Sequence, residues 1–143
     1  MPETPAPFPH AAVLARLGAG DFAGLPAEFV DTPPKREALH ALLKASEAVH
    51  RAAVSTTQVA DALRRDQKFV RPGQPSPHLV RLRQQQAAAR QATNQARQAF
   101  IVAADGWVRV FGLTVPARKS LEVFAQDWVN LAFGRKSLHK SPL

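Results

Sequence analysis

The pattern of apolar and polar positions predicts a long helix in the first half of the chain. Residues 35–71 contain neither glycine nor proline, and apolar residues recur at helical spacing from Leu39 to Leu63. The sequence Thr32-Pro33-Pro34 supplies an N-cap followed by prolines suited to a first helical turn. We therefore predict helix A over residues 35–69, with an apolar stripe wide enough to touch more than one neighbour.

A second apolar pattern, with a period of seven residues, follows the breaking segment VRPGQPSP at residues 70–77. Ser76 is a suitable N-cap and Pro77 a suitable first residue for a helix. Apolar and small residues then alternate at intervals of three and four, which predicts helix B over residues 77–104. Its seam has bulky ends and a middle lined by small side chains. The seam positions are Leu79, Leu82, Gln86, Ala89, Thr93, Ala96, Phe100 and Ala103.

Shorter elements are predicted on either side of helices A and B. A helix over about residues 10–18 ends at GAGDFAG, whose glycines miss the dinucleotide-binding spacing by one residue and follow no strand. Pro116 opens an amphipathic helix C over about 117–133. The stretch 105–115 fits a last turn with a linker or a short strand, and a loosely helical or extended connector is the favoured interpretation.

These elements predict an all-α fold built on a long antiparallel helical hairpin, with a short N-terminal helix and a C-terminal amphipathic helix. In this arrangement the leucines near the start of helix A meet Phe100, and Leu63 meets Leu79 and Leu82. Both tryptophans and Phe124 are expected to cover the open side of the hairpin near Phe100, as part of the core. One helical domain would cover 10–133. A proline-rich extended arm at 1–9 and a basic tail at 134–143 would flank it.

Composition excludes several kinds of chemistry. The chain of 143 residues has no cysteine, so it has neither disulfides nor a cysteine nucleophile nor a cysteine-ligated metal site. No apolar run approaches the length of a membrane span, and the first residues lack the pattern of a secretory signal. We expect a soluble intracellular protein, located in the cytoplasm or within a particle.

Positive charge is concentrated in helix B and the segment before it. The formal net charge is +8, and no carboxylate lies between Asp66 and Asp105. Within that interval Arg83, Arg90 and Arg97 recur every seven residues beside the predicted seam, and they are expected to face outward without an acidic partner in the hairpin. Such a row suits a phosphate backbone or an acidic helix of another subunit. Alternatively, the arginine stems only cover the thin alanine seam.

The candidate contact residues for nucleic acid or an acidic partner are all basic. They are Lys68, Arg71, Arg81, Arg83, Arg90, Arg97, Arg135 and Lys136.

Two further motifs suggest other kinds of site. Two Glu-x-x-His pairs, Glu37/His40 and Glu47/His50, have the spacing of di-iron ligands, but helix B supplies no carboxylate to complete a site. Residues 55–66 and 76–83 resemble the two helices of a helix-turn-helix, although the connection is longer than that motif allows. We therefore expect no metal, cofactor or small-molecule substrate.

The sequence contains no pattern typical of a catalytic site, and we expect that the protein is not an enzyme. The favoured function is a helical assembly subunit, for example of a virion or another particle, that acts through coiled-coil-like packing and a basic face. Protein partners or self-association are expected. The alternative is a nucleic-acid-binding protein that contacts phosphates through the arginine row, with or without a degenerate helix-turn-helix.

Overall fold

The computed structural model describes residues 6–68 and 77–134, and in them the regular structure is entirely helical. Two long helices pack side by side as a hairpin, and short helices flank them at the N- and C-terminal ends, so the predicted fold is confirmed. No strand occurs in these two ranges. The elements are α1 (Ala11–Ala19), α2 (Ala27–Val30), α3 (Pro33–Gln67), α4 (Pro77–Phe111), α5 (Leu121–Val129) and a π-helical turn (Asn130–Gly134).

The long helix α3 begins where the sequence places its cap. Thr32 is extended, and its Oγ1 accepts a hydrogen bond from the backbone N–H of Lys35 at 3.4 Å. Pro33 and Pro34 occupy the first two helical positions, where a missing N–H costs nothing. Helix α4 begins at Pro77 as predicted, whereas its predicted cap, Ser76, lies outside the described residues.

The two ends of the hairpin have separate apolar cores. At one end Leu39, Leu42 and Leu43 pack with Phe100, and all four are fully buried. At the other end Leu63, Leu79 and Leu82 form a small cluster, as the sequence predicts. Small buried residues connect these cores, so the helices approach closely between them. They are Ala52, Ala89 and Ala96.

A contact in the middle of the hairpin shows which alanine of α3 lies between the two helices. Thr56 and Thr93 face each other across the helices, with their Oγ1 atoms 3.2 Å apart. The wide apolar stripe in the sequence includes both Ala52 and Ala53, but only Ala52 is buried and Ala53 is exposed. The heptad that runs through Thr56 places Ala52 between the helices and Ala53 one position outside them.

Helix α4 extends seven residues beyond the predicted bound at residue 104, so the first part of the stretch 105–115, for which the favoured interpretation is a loosely helical or extended connector, is regular α-helix as far as Phe111. The helix continues through Gly106 because Trp107 is fully buried one helical turn beyond Ala104. Burial of that indole outweighs the roughly 1 kcal/mol that an interior glycine costs. The helix ends at Gly112, which has φ 66°, and the N–H of Leu113 donates to the carbonyl of Val108 at 3.0 Å.

The C-terminal helix begins later than the sequence suggests. Prediction from Pro116 gives a start near residue 117, but residues 116–119 form a turn in which the N–H of Lys119 donates to the carbonyl of Pro116 at 3.1 Å. Ser120 then caps α5 by accepting from the N–H of Val123 at 3.2 Å. The serine cap, rather than the proline, therefore sets the first residue of α5.

The short elements gather around one end of the hairpin. Both tryptophans belong to this core, as predicted, with the rings of Trp107 and Trp128 4.8 Å apart and Phe29 of α2 5.0 Å from Trp128. The predicted proline-rich arm spans 1–9, and its described part, residues 6–9, lies on the same end. His50 Nε2 is 2.9 Å from the carbonyl oxygen of Ala6, and His10 Nε2 is 3.0 Å from Asn130 Oδ1.

The molecule therefore has two regions, which we name by their residues. The head comprises residues 6–50 and 97–134, and it contains α1, α2, α5 and the larger core. The stalk comprises residues 51–68 and 77–96, and it contains only the distal parts of α3 and α4.

Candidate partner-binding surface

The head and the stalk differ in net charge. The described head carries eight basic and eight acidic side chains, so its formal charge is zero with histidine neutral. The stalk carries seven basic side chains and two acidic ones. The protein's excess positive charge in the described residues is therefore confined to the two-helix stalk.

Most of the stalk's cations are not neutralised by any of the residues that the structure describes. Its two carboxylates are already engaged, Asp61 by Arg64 and Asp66 by His78, whose Nε2 lies 2.8 Å from Asp66 Oδ2. Arg51 pairs at 3.4 Å with Glu47 of the head. The remaining basic residues are exposed and have no ion-pair or hydrogen-bond partner within residues 6–68 and 77–134. They are Arg65, Lys68, Arg81, Arg83 and Arg90.

The predicted contact residues fall into three groups. Lys68, Arg81, Arg83 and Arg90 are exposed on the stalk. Arg97 is exposed on the head, just beyond the stalk. Arg71, Arg135 and Lys136 lie outside the described residues.

Arg97 corrects the expectation that the arginine row has no acidic partner in the chain. Its Nε and Nη2 donate to the two carboxylate oxygens of Glu122, each at 3.0 Å. These hydrogen bonds, opposed by slight burial and reinforced by the opposite charge, lower the pKa of Glu122. The same hydrogen bonds and charge raise the pKa of Arg97. One of the three arginines is thus neutralised, because α5 packs beside α4.

The side of the hairpin that carries Arg97 is covered in the head and uncovered in the stalk. On α3, positions seven residues apart follow this side, since a heptad returns to nearly the same face of a helix. Leu39 and Ser46 are buried there by the head. The next two positions on that line, Ala53 and Ala60, are exposed and half-buried.

Helix α4 shows the same change along its own line of positions. Ala104 is fully buried, Arg97 is paired with Glu122, and Arg90 and Arg83 have no partner in the described chain. The exposed Ala87 lies four residues after Arg83 and three before Arg90, so it is their neighbour on the helix surface. The side of α4 that α5 covers in the head therefore continues into the stalk, where small alanines lie beside two guanidinium groups that have no partner in the described residues. We call this part the stalk groove, lined by Ala53, Ala60, Arg83, Ala87 and Arg90.

Sequence reasoning missed four residues that bear on this surface. Glu122 could have been found, because it follows Leu121, and helix C was expected to pack near Phe100, one turn from Arg97. Arg65 is an exposed stalk cation that precedes Asp66, so it lies outside the acid-free interval that marks the other stalk cations. Finding Ala53 and Ala60 would have required knowing to within one residue which positions of α3 face α4.

The described residues contain no cluster of three or more side chains suited to hold a metal ion. In the second Glu-x-x-His pair, Glu47 contacts Arg51 and His50 contacts the backbone of Ala6. None of the helices in residues 6–68 and 77–134 is long and apolar enough to cross a membrane. The chain matches no family model, no curated protein and no solved structure.

Proposed function

We propose that this protein is a non-enzymatic assembly subunit that docks on an anionic partner through its stalk. The observation that carries this proposal is the separation of charge: the head is neutral and well packed, whereas the stalk holds five free cations. A surface of this kind attracts an oppositely charged surface and repels a second copy of itself. The partner is therefore expected to be a different molecule.

Sedimentation of native extract tests this function. A chain of 15.6 kDa that belongs to an assembly sediments much faster than a free monomer. We expect the fast-sedimenting fraction to decrease when Arg83 and Arg90 are replaced by glutamine, because the docking charge is removed. Arg65→Gln with Arg81→Gln is the matched control, since it removes the same charge from other faces of the stalk. Sedimentation of the unmodified protein as a free monomer would contradict the proposal.

Nucleic-acid binding is the second candidate, and the same free cations support it. Its described contacts would be Lys68, Arg81, Arg83 and Arg90, which are exposed. The structure gives the helix-turn-helix no support. Helices α3 and α4 pack side by side, whereas the two helices of that motif lie at a steep angle to each other. Phosphate contacts would then supply the affinity, with a salt slope of about −0.9 for each phosphate neutralised.

Nuclease treatment separates the two candidates. If the fast-sedimenting fraction survives digestion of DNA and RNA, a protein partner holds the assembly together. If digestion releases the chain as a monomer, the phosphate backbone is the partner. A binding measurement on duplex DNA at about 50 mM salt provides an independent check, because phosphate contacts are strong there.

A further inference from the structure

We infer that the stalk groove is a docking site for a helix of a partner protein that carries two carboxylates seven residues apart. This inference rests on the proposed assembly function and names the chemistry of the partner. The groove is lined by Ala53 and Ala60 of α3 and by Arg83, Ala87 and Arg90 of α4.

The chain's own α5 shows how a helix occupies this side of the hairpin. It packs on α4 through Trp128, whose ring lies 4.8 Å from Trp107, and its first turn places Glu122 on Arg97 with two hydrogen bonds of 3.0 Å. Arg90 and Arg83 repeat the position of Arg97 at intervals of seven residues toward the tip of the stalk. A helix laid along the same line meets them as Glu122 meets Arg97.

The lining of the groove favours a helix over other shapes. Small side chains at Ala53, Ala60 and Ala87 allow a backbone to approach closely, as they do inside the hairpin at Ala52 and Ala96. Adjacent arginines are separated by about 10 Å along α4, which is the rise of one heptad in a partner helix. Carboxylates at positions i and i+7 of that helix therefore match both guanidinium groups at once.

Charge decides against a second copy of this chain as the occupant. Two stalks would bring two sets of free cations together, and the stalk's two carboxylates already have partners within it. A helix with regularly spaced acids has the opposite charge in the required positions. The opposite face of α4 offers no equivalent site, since Ala88, the neighbour of Ala87, is flanked at helical spacing by Gln84 and Gln91.

Disulfide tethering tests this site directly, because the chain has no cysteine of its own. Ala87→Cys places a thiol in the groove, and Ala88→Cys places one on the other side of α4 as the matched control. The probe is a helical peptide of three heptads with one cysteine and with glutamates four residues before it and three after it. A permuted peptide of the same composition carries those glutamates on its opposite face. The measured quantity is the reductant concentration that releases half of each tethered peptide.

We expect the Ala87→Cys protein to hold the acidic peptide at a reductant concentration about fivefold higher than the Ala88→Cys protein does, as two exposed ion pairs allow. Adding Arg83→Gln and Arg90→Gln should abolish this difference, whereas Arg65→Gln with Arg81→Gln should preserve it. The permuted peptide should show no preference between the two thiols. Thermal unfolding of each variant provides a check that the hairpin remains intact.

Several results would overturn the inference. Equal retention at the two thiols would show that the groove does not select the peptide. A preference that survives the loss of Arg83 and Arg90 would show that charge is not the basis of recognition. A thiol-bearing DNA duplex that is retained better than the peptide would identify a phosphate partner, and spontaneous Ala87→Cys dimers at low concentration would identify a second copy. Tethering succeeds or fails on the groove alone, whereas sedimentation of native extract decides whether an assembly exists.

Discussion

The head and the stalk are built from the same two helices, but they differ in what lies beside those helices. In the head, α1, α2 and α5 cover α3 and α4, and the side chains of Trp107 and Phe100 are fully buried. In the stalk, the two helices contact no other element of the described residues, and their apolar core there is a cluster of Leu63, Leu79 and Leu82. A two-helix pair of this size buries little apolar surface. The head therefore supplies most of the stability, while the stalk keeps its surface available for contacts.

The largest expected effect comes from removing the centre of the head. Trp107→Ala should reduce the free energy of unfolding by about 3–5 kcal/mol, because the indole is fully buried among aromatic rings. Leu82→Ala in the stalk cluster should cost about 2 kcal/mol, near the lower limit for a buried leucine. Urea unfolding followed by circular dichroism measures both. An equal or larger loss for Leu82→Ala would show that the stalk carries as much of the stability as the head.

A smaller effect is expected from widening the seam of the stalk. Ala89→Leu places a bulky side chain where Ala89 is buried between the helices, and it should cost about 2 kcal/mol. Ala92→Leu, at an exposed position of the same helix, is the control and should change the unfolding free energy by less than about 0.5 kcal/mol. Thermal unfolding compares the two variants. Similar stability of both would mean that the helices do not approach closely at Ala89.

Gly106 inside α4 and Gly112 directly after it test where this helix ends, at the head end of the hairpin. Gly112→Ala should destabilise the protein by about 1 kcal/mol, because Gly112 has a positive φ that alanine adopts poorly. Gly106→Ala should stabilise it by up to about 1 kcal/mol, because Gly106 lies inside the helix and a Cβ there meets no atom within 4 Å. Differential scanning calorimetry gives the sign of each change. The opposite signs would place the end of α4 at Gly106.

The smallest effect is expected at the Arg97–Glu122 pair, where the two regions meet. The pKa of Glu122 is lowered in the folded protein, so the pair stabilises the fold above the carboxyl's unfolded pKa of about 4.3. This contribution is lost as the pH falls through the folded pKa. Glu122→Gln should therefore lower the unfolding midpoint slightly at neutral pH, and the difference from the unmodified protein should shrink as the pH falls below about 4.3. A difference that persists in acid would mean that charge pairing is not its source.

Sequence alone predicts the parts of this fold that local signals determine. Thr32 with two prolines starts α3, and the seven-residue pattern from Leu79 to Phe100 gives the long helix α4 and its partner face. The positions that failed depend on tertiary packing. The predicted helix B stops short of Phe111, because the burial of Trp107 that outweighs the local cost of Gly106 depends on α5 and α2.

The candidate surface was predictable in its charge and not in its shape. The free cations at Arg83 and Arg90 follow from the absence of acid in helix B. The pairing of Arg97 required knowledge of where α5 begins, since Ser120 and not Pro116 sets the position of Glu122. The alanine lining of the groove required the seam to pass through Ala52, and a one-residue change of register would have moved Ala53 inside.

The contact between His10 and Asn130 has a practical consequence for how the molecule can be joined to others. His10 Nε2 lies 3.0 Å from Asn130 Oδ1, so the residue before α1 and the first residue of the π-helical turn meet at the end of the hairpin remote from Leu79 and Leu82. Copies immobilised through a surface side chain of the head near this contact would then point their stalks away from the attachment point. An array made in this way would present many parallel stalks, each with exposed arginine side chains, to any molecule that approaches it.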